Sequence, residues 1–163
     1  MNVCFVCYGN TCRSPMAQYI FQYLVDNYKL TSKFNIMSAG TNAFTRKNIS
    51  KYTRQQLILH NIPFNNHLSV HFNKDIYDKN DYIFIMDDFI NKNIKKIVTD
   101  NNKIYKLLAF TDDSFLNKNN IYNKNVNDPY GTTDYSHTYK IIYQGCNDIL
   151  NYLIREHNLL ATR

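Results

Sequence analysis

The chain predicts an α/β fold: a four-stranded parallel sheet with helices on both faces and a phosphate loop after the first strand. Strand and helix signals alternate along its 163 residues, the pattern of parallel βα units rather than of a sandwich or a bundle. The run Asp81-Tyr82-Ile83-Phe84-Ile85-Met86 is almost continuously apolar, as a strand buried on both faces must be. Near the start, a short apolar strand runs into the seven residues Cys7 to Arg13, and these run into Ser14-Pro15, a helix start with proline at the first helical position.

Each element follows in order. The first strand covers Asn2 to Val6. After the loop, a helix from its cap at Ser14 to Lys29 carries Met16, Ile20, Tyr23, Leu24 and Asn27 on one mainly apolar face. Phe34 to Met37 reads as a short second strand that ends in a turn at Ser38-Ala39-Gly40-Thr41. Tyr52 to His60 reads as a helix closed by Asn61-Ile62-Pro63. The third strand, Asp81 to Met86, leaves Asp87 at its C-terminal end, the edge at which open parallel sheets bind ligands. A helix over Ile90 to Val98 and a last strand over Lys103 to Leu108 follow. Phe110 to Asn127, rich in Asn and Asp, reads as a long loop, and long loops in compact domains are often functional. The final helix, Tyr135 to His157, aligns Tyr139, Ile142, Tyr143, Cys146, Ile149, Leu150 and Leu153 in a core stripe.

Size and composition narrow the function classes. With 44% hydrophobic residues, the 163-residue chain can bury a real core, and one domain spanning residues 1–163 is expected. No apolar stretch approaches the roughly 18 residues of a membrane span, and no leader-like apolar segment opens the chain. A soluble, cytoplasmic protein without a membrane partner is expected. The formal charge of +6 attracts phosphates in general. Its lysines, however, fall singly or in pairs among Asn and Tyr, without a dense arm or a nucleic-acid module, so a solvated basic face is expected rather than a specific nucleic-acid partner.

The four cysteines are Cys4, Cys7, Cys12 and Cys146. Three crowd into one strand and its loop, which is no secreted disulfide framework. Cys4 and Cys7 form a CxxC, and His67 and His71 an HxxxH, but about sixty residues separate the two pairs, against roughly 12 to 15 in a compact zinc finger. Strand alternation also turns Cys4 and Cys7 to different faces. No metal or cofactor is expected, and Cys4 reads as a small buried hydrophobe.

The chemistry-bearing stretch is the loop itself. It ends at a helix N-terminus, where free N–H groups and the positive end of the macrodipole favour an anion and the thiolate form of Cys7, the form that attacks. Arg13 adds a planar, bidentate donor fork for phosphoryl oxygens. Gly9 permits tight curvature, Asn10 can hold the loop through its amide, and Ser14 can donate to the Cys7 thiolate. A proton for the leaving group can come from Asp128 in Asn127-Asp128-Pro129-Tyr130-Gly131, although Asp-Pro is also an ordinary turn signal.

The stretch Val6-Cys7-Tyr8-Gly9-Asn10-Thr11-Cys12-Arg13-Ser14-Pro15 resembles the signature of the low-molecular-weight protein tyrosine phosphatases. Ser38-Ala39-Gly40-Thr41, His60-Asn61-Ile62 with His67, Asp81-Tyr82-Ile83 with Met86-Asp87, and Asp128-Pro129-Tyr130-Gly131 resemble later blocks of that family in the same order. The resemblance implies that Cys7 is the nucleophile, that Arg13 binds phosphate, and that Asp128 is the general acid and then the base for water. It implies a network of Asn10, Ser14, Ser38 and His67 around the loop, with Asp87 either orienting Arg13 or capping a helix. Tyr8, Gly9, Asn10, Thr11, Cys12, Phe44 and Tyr130 are the expected substrate-binding positions, Phe44 at the cleft rim. Cys12 matches a loop cysteine that in relatives forms a reversible disulfide with the nucleophile. The implied partners are a phosphorylated protein and, in the loop, inorganic phosphate or another oxyanion.

Departures from the family pattern bear on substrate. Thr11 stands where most tyrosine-specific members carry Ile or Leu and where relatives acting on phosphoarginine carry Thr, so protein arginine phosphatase is the alternative to protein tyrosine phosphatase. Lys47 replaces a usual Gly, and Asp-Pro-Tyr lacks the second aromatic that often follows it. Thioredoxin-coupled arsenate reductases on this fold use cysteines in mid-chain, and none lies between Cys12 and Cys146. A non-catalytic phosphopeptide-binding module is expected to lack Cys7, Arg13 or Asp128, and all three are present.

Overall fold

Four strands, β1 (Asn2–Cys7), β2 (Asn35–Gly40), β3 (Tyr82–Ile85) and β4 (Ile104–Lys106), pair in parallel in the order β2-β1-β3-β4. This is the sheet expected from the sequence, seen here in a computed structural model that describes residues 1–160. Alternation along β1 sends Val3, Phe5 and Cys7 into one apolar layer and Cys4 and Val6 into the other. The first layer is closed by α1 (Arg13–Asn27) and α6 (Ser136–Glu156), with Leu57 of α2 (Lys51–Leu59). The second is closed by α3 (Lys74–Lys79) and α4 (Asp88–Ile94), which bury Ile76, Tyr77, Ile90 and Ile94. Phe5 meets Phe21 edge-on at 5.4 Å and stacks on Phe84 at 5.7 Å, which pins α1 to the sheet. Such pairs add about 0.5–1.5 kcal/mol each beyond their buried area.

The strand order positions the site. From β1 the chain steps outward to β2 on one side, then returns to place β3 on the other. Neighbouring connections therefore diverge between β1 and β3, and a crevice opens at their C-terminal ends. The loop after β1 and Asp87 after β3 both stand at that crevice.

Several boundaries differ from expectation for identifiable reasons. β2 continues through Ser38-Ala39-Gly40, which pair with Phe5, Val6 and Cys7, instead of turning there. Its small residues read as a turn but serve a strand that passes under the loop. α1 begins at Arg13 with Cys12 in the cap position, so Ser14 is not the cap; its hydroxyl is engaged with Cys7 and Asn10. α3 is unanticipated because it buries only two residues; Asn73 caps it through Ile76 N–H, and Lys74–Asp78 and Lys79–Asp75 pairs span its turns. α4 starts earlier than Ile90, at Asp88, and ends at Ile94. The stretch expected to be a long loop contains α5 (Asp113–Lys118), capped by Asp112 and anchored by buried Leu116. β4 is an edge strand shorter than Lys103 to Leu108. Among the described residues, no helix is long and apolar enough to cross a membrane.

Candidate active site

Cys7 ends β1 at the floor of a cleft of about 1050 Å³. Its Sγ lies 2.9 Å from Ser14 Oγ and accepts from the Asn10 backbone N–H at 3.3 Å. Ser14 Oγ also accepts from Asn10 Nδ2 at 2.9 Å and lies 3.2 Å from the Ala39 carbonyl. A thiolate has no hydrogen to give, so when Cys7 is ionised Ser14 must donate to it. When Cys7 is a thiol, the Ser14 hydrogen can turn to the Ala39 carbonyl instead. One hydroxyl rotation thus follows the charge on sulfur.

Asn10 organises the loop. It is fully buried, and its φ of 54° makes it the left-handed residue of the turn, a conformation Asn tolerates better than most side chains. The special backbone geometry therefore falls on Asn10 rather than on Gly9, whose φ is not positive. Asn10 Nδ2 donates to both Ser14 Oγ and Ser38 Oγ at 2.9 Å, and Oδ1 accepts from the Val70 N–H at 2.8 Å. Ser38 Oγ in turn donates to Gln18 Oε1 at 2.6 Å. Gln18 and Val70 carry no sequence signal for this role, because one is an ordinary helical polar residue and the other contributes only its backbone.

His67, 7% exposed, donates from Nε2 to the Asn10 carbonyl at 2.8 Å. Burial lowers its pKa from the ordinary 6.5, and the bond to Asn10 only partly opposes this. The imidazole is thus neutral with hydrogen on Nε2. Since unfolded His67 binds a proton more readily, its contribution to stability is complete above about pH 6.5 and is lost as pH falls toward the lower folded value. Thermal unfolding between about pH 7.5 and 5 is expected to show this loss, and His67→Gln, which keeps a donor but does not titrate, should flatten it. An unchanged profile in that variant would assign the loss to other groups.

Gly40 is a second requirement that the sequence does not announce. A Cβ there would lie 2.6 Å from the Tyr8 carbonyl and 2.8 Å from the Asn10 nitrogen, both backbone atoms of the loop. The loop reaches its position only because β2 presents no side chain beneath it. Thr41 and Asn42 N–H groups then bond the Cys7 and Tyr8 carbonyls at 3.0 and 2.9 Å, and Ser50 N–H bonds the Thr11 carbonyl at 2.7 Å.

Arg13 is 2% exposed and lies at the junction of three distant segments. Its Nη1 donates to Asp87 Oδ2 at 2.6 Å and to the Val126 carbonyl at 2.8 Å, and its Nη2 to Asp128 Oδ2 at 3.1 Å. Burial disfavours the guanidinium charge, but Cys7, Asp128 and Asp87 together outweigh burial and raise its pKa further. Asp87 uses its two oxygens separately: Oδ2 accepts from Arg13, and Oδ1 accepts from Ile90 N–H and caps α4. Asp128 comes from the segment between α5 and α6; its side chain is 48% exposed and accepts from Tyr130 N–H at 3.1 Å.

Tyr8, Gly9, Thr11, Cys12 and Tyr130 line the cleft, joined by Phe89, Tyr52, Tyr135 and Lys51. Tyr8 rests on Phe89 at 5.9 Å and its hydroxyl accepts from Asn42 Nδ2 at 2.7 Å. Phe44, expected at the rim, is 75% exposed and is not among the residues that line the cleft. Phe89, which α4 carries from the opposite side of the crevice, supplies the aromatic surface there. Burial pushes the Cys12 thiol up to about 12, with a weaker opposing effect from the Thr53 hydroxyl, so near neutral pH Cys12 is a thiol.

Residues 2–159 match the family model described as "Low molecular weight phosphotyrosine protein phosphatase". A low molecular weight protein-tyrosine-phosphatase, PtpA, of Staphylococcus haemolyticus is 33% identical over 162 residues, covering 98% of this chain and 97% of that one. The crystal structure of YfkJ from Bacillus subtilis superposes with a TM-score of 0.87 at 30% identity, covering 96% of each chain. The YwlE arginine phosphatase, also of Bacillus subtilis, shares the fold with a TM-score of 0.82 at 23% identity, covering 98% of this chain and 99% of that one. With a sheet, loop and cleft of this form and matches along nearly the whole chain, the protein belongs to the low molecular weight phosphotyrosine protein phosphatase family of cysteine-dependent phosphatases.

Proposed function

We propose that the protein hydrolyses phosphotyrosine in protein substrates through a cysteinyl-phosphate intermediate. The observation that carries this reading is the convergence of the Cys7 thiol, the buried Arg13 guanidinium and the Asp128 carboxyl, with Arg13 Nη2 only 3.1 Å from Asp128 Oδ2. In the first step Cys7 Sγ attacks phosphorus, an S–P bond forms, the P–O bond to the phenol breaks, and Asp128 delivers a proton to the departing oxygen. Arg13 and the loop N–H groups hold the phosphoryl oxygens as charge spreads over them. In the second step Asp128, now a carboxylate, takes a proton from water; water oxygen bonds to phosphorus, the S–P bond breaks, and Ser14 donates to the returning thiolate. Inorganic phosphate leaves. The need for a reduced thiol fits a cytoplasmic setting.

Tyr8, Phe89 and Tyr130 offer apolar ring surface suited to a flat phenol. Thr11, whose side chain lines the same cleft, favours a second reading, phosphoarginine, because a hydroxyl can hydrogen-bond a guanidinium leaving group or a water where an alkyl group cannot. Turnover of phosphotyrosine and phosphoarginine peptides by the wild type and by Thr11→Ile separates the two. Preference for phosphotyrosine in both proteins is expected; strong wild-type preference for phosphoarginine, reversed by Thr11→Ile, would replace the first reading. The proton donor is tested by Asp128→Ala. For aryl phosphates with poor leaving groups, kcat/KM should fall about 10²-fold or more, and for nitrophenyl phosphates far less. Equal slowing of all would reassign the acid.

A further inference from the structure

Behind the cleft, on the edge of the sheet away from β2, a polar cluster ties the acid-bearing segment to β4 through bonds to Lys106 and Asp88 rather than to the loop. Lys106, the last residue of β4, places Nζ 2.7 Å from Asp88 Oδ1 and 2.5 Å from the Asn123 carbonyl. Asp88 Oδ2 accepts from Asn125 Nδ2 at 3.0 Å. One ammonium and one carboxylate thus hold both a backbone carbonyl and a side chain of residues 123–125. The Lys106 side chain is 23% exposed, against 71% for Lys74 and Lys79 in the surface pairs of α3.

The segment held in this way needs holding. Asn123 and Lys124 both have φ of 54°, two successive non-glycine residues in the left-handed region. Each such residue costs on the order of 1–2 kcal/mol and persists only where surrounding contacts impose it. Here the contacts are Lys106 on the Asn123 carbonyl, Lys124 Nζ on the Ala109 carbonyl at 3.0 Å, and Asn125 on Asp88. The very next residue, Val126, donates from its N–H to the Met86 carbonyl at 2.7 Å and accepts from Arg13 Nη1 at 2.8 Å. Asp128 lies two residues further on. The cluster therefore determines where the chain enters the cleft with the acid, and Asp88 is the chain neighbour of Asp87, which holds Arg13.

We propose that Lys106 is a positioning residue of the acid loop: through Asp88, Asn125 and the Asn123 carbonyl it sets the place of Asp128 relative to the leaving group. The inference rests on the reading of Asp128 as proton donor. It concerns the fit of that donor, since Cys7, Ser14 and Asn10 are tied to one another and to Ser38, Ala39, His67 and Val70 rather than to the cluster. Proton transfer is sensitive to displacement of the donor, and its loss is felt most where the leaving group is basic.

The test measures kcat/KM, which reports the step that forms the cysteinyl phosphate, for a series of aryl phosphates spanning good and poor leaving groups. Lys106→Met keeps the length of the side chain and removes its donors. It should lower kcat/KM about tenfold for phenyl phosphate while leaving para-nitrophenyl phosphate within about twofold. Lys106→Arg should restore most of the loss, because a cation still spans Asp88 and the Asn123 carbonyl. In an Asp128→Ala background, Lys106→Met should cause no further leaving-group-dependent loss, as expected for residues acting through one group. Asn125→Ala removes only the side-chain tie to Asp88 and should give the same pattern in milder form; it carries the test if Lys106→Met fails to fold. Uniform loss across all leaving groups, no loss, or full additivity with Asp128→Ala would overturn the proposal. The Asp128→Ala control separates the two levels: if that variant itself shows no leaving-group dependence, it is the assignment of the acid that fails.

Discussion

Cys7→Ser is expected to abolish phosphatase turnover while the protein still binds phosphate. Loss of kcat by at least about 10⁴-fold, or about 5.5 kcal/mol in the barrier, is the expected scale for removing a nucleophile. The physical reason is local. A serine oxygen at this position would keep the hydrogen-bond partners Ser14 and the Asn10 N–H, but an alcohol is scarcely ionised in water and is a far weaker nucleophile than a thiolate. The rest of the oxyanion cradle is independent of sulfur: Arg13 is held by Asp87 and Val126, and Asn10 by Ser14, Ser38 and Val70. Calorimetric titration with phosphate should therefore show binding within about tenfold of wild type. Full turnover in the variant would sink the cysteinyl-phosphate mechanism, and loss of both turnover and phosphate binding with folding intact would mean that sulfur itself builds the cradle.

Arg13→Lys is expected to cost about 10³-fold in kcat/KM, although the charge is nominally retained. Arg13 spreads its donors over Asp87, the Val126 carbonyl and Asp128 while its charge faces the cleft. A lysine ammonium is a single point with three donors, and it cannot reach both carboxylates and a phosphoryl group in one plane. Asp87, whose side chain is only 18% exposed, would lose its partner, as would the Val126 carbonyl. A stability loss of about 1–3 kcal/mol should accompany the kinetic effect. The pairing of the two effects is diagnostic: a fall in thermal midpoint without the kinetic loss would limit Arg13 to a structural tie among β3, α4 and the acid loop. Retention of activity within tenfold would remove it from phosphoryl binding altogether.

The sheet and its flanking helices were legible because their signals are local and redundant. A run such as Tyr82-Ile83-Phe84-Ile85 and a stripe such as Ile142, Cys146, Ile149 and Leu153 state their burial in their own spacing. The loop was legible for the same reason, since a thiol, an arginine and a helix start fall within nine residues. Short elements were not. α3 and α5 bury two residues and one, too few for any period to emerge, and are held by caps and i,i+4 pairs that also occur in loops. β2 was cut short because Ser38-Ala39-Gly40 has turn composition, while its strand geometry is imposed by pairing with β1. Phe44 and Phe89 are equally plain aromatics in sequence; only the packing of α4 brings one of them to the cleft.

What the sequence by itself determined is the class of fold, an alternating βα chain, and the side chains that are candidates for its chemistry: Cys7, Arg13 and Asp128. What only the tertiary structure decided is the set of constraints that act between segments. Gly40 must lack a side chain because β2 passes under the loop. Asn10 takes the left-handed turn because Ser14, Ser38 and Val70 use every hydrogen-bonding group of its amide. Lys106 meets Asn123 because the edge strand ends beside the acid loop. Reactivity is a property of a side chain and its near neighbours and can be read along the chain. Steric exclusion and hydrogen-bond closure belong to pairs of segments far apart in sequence, and they exist only once the sheet has brought those segments together.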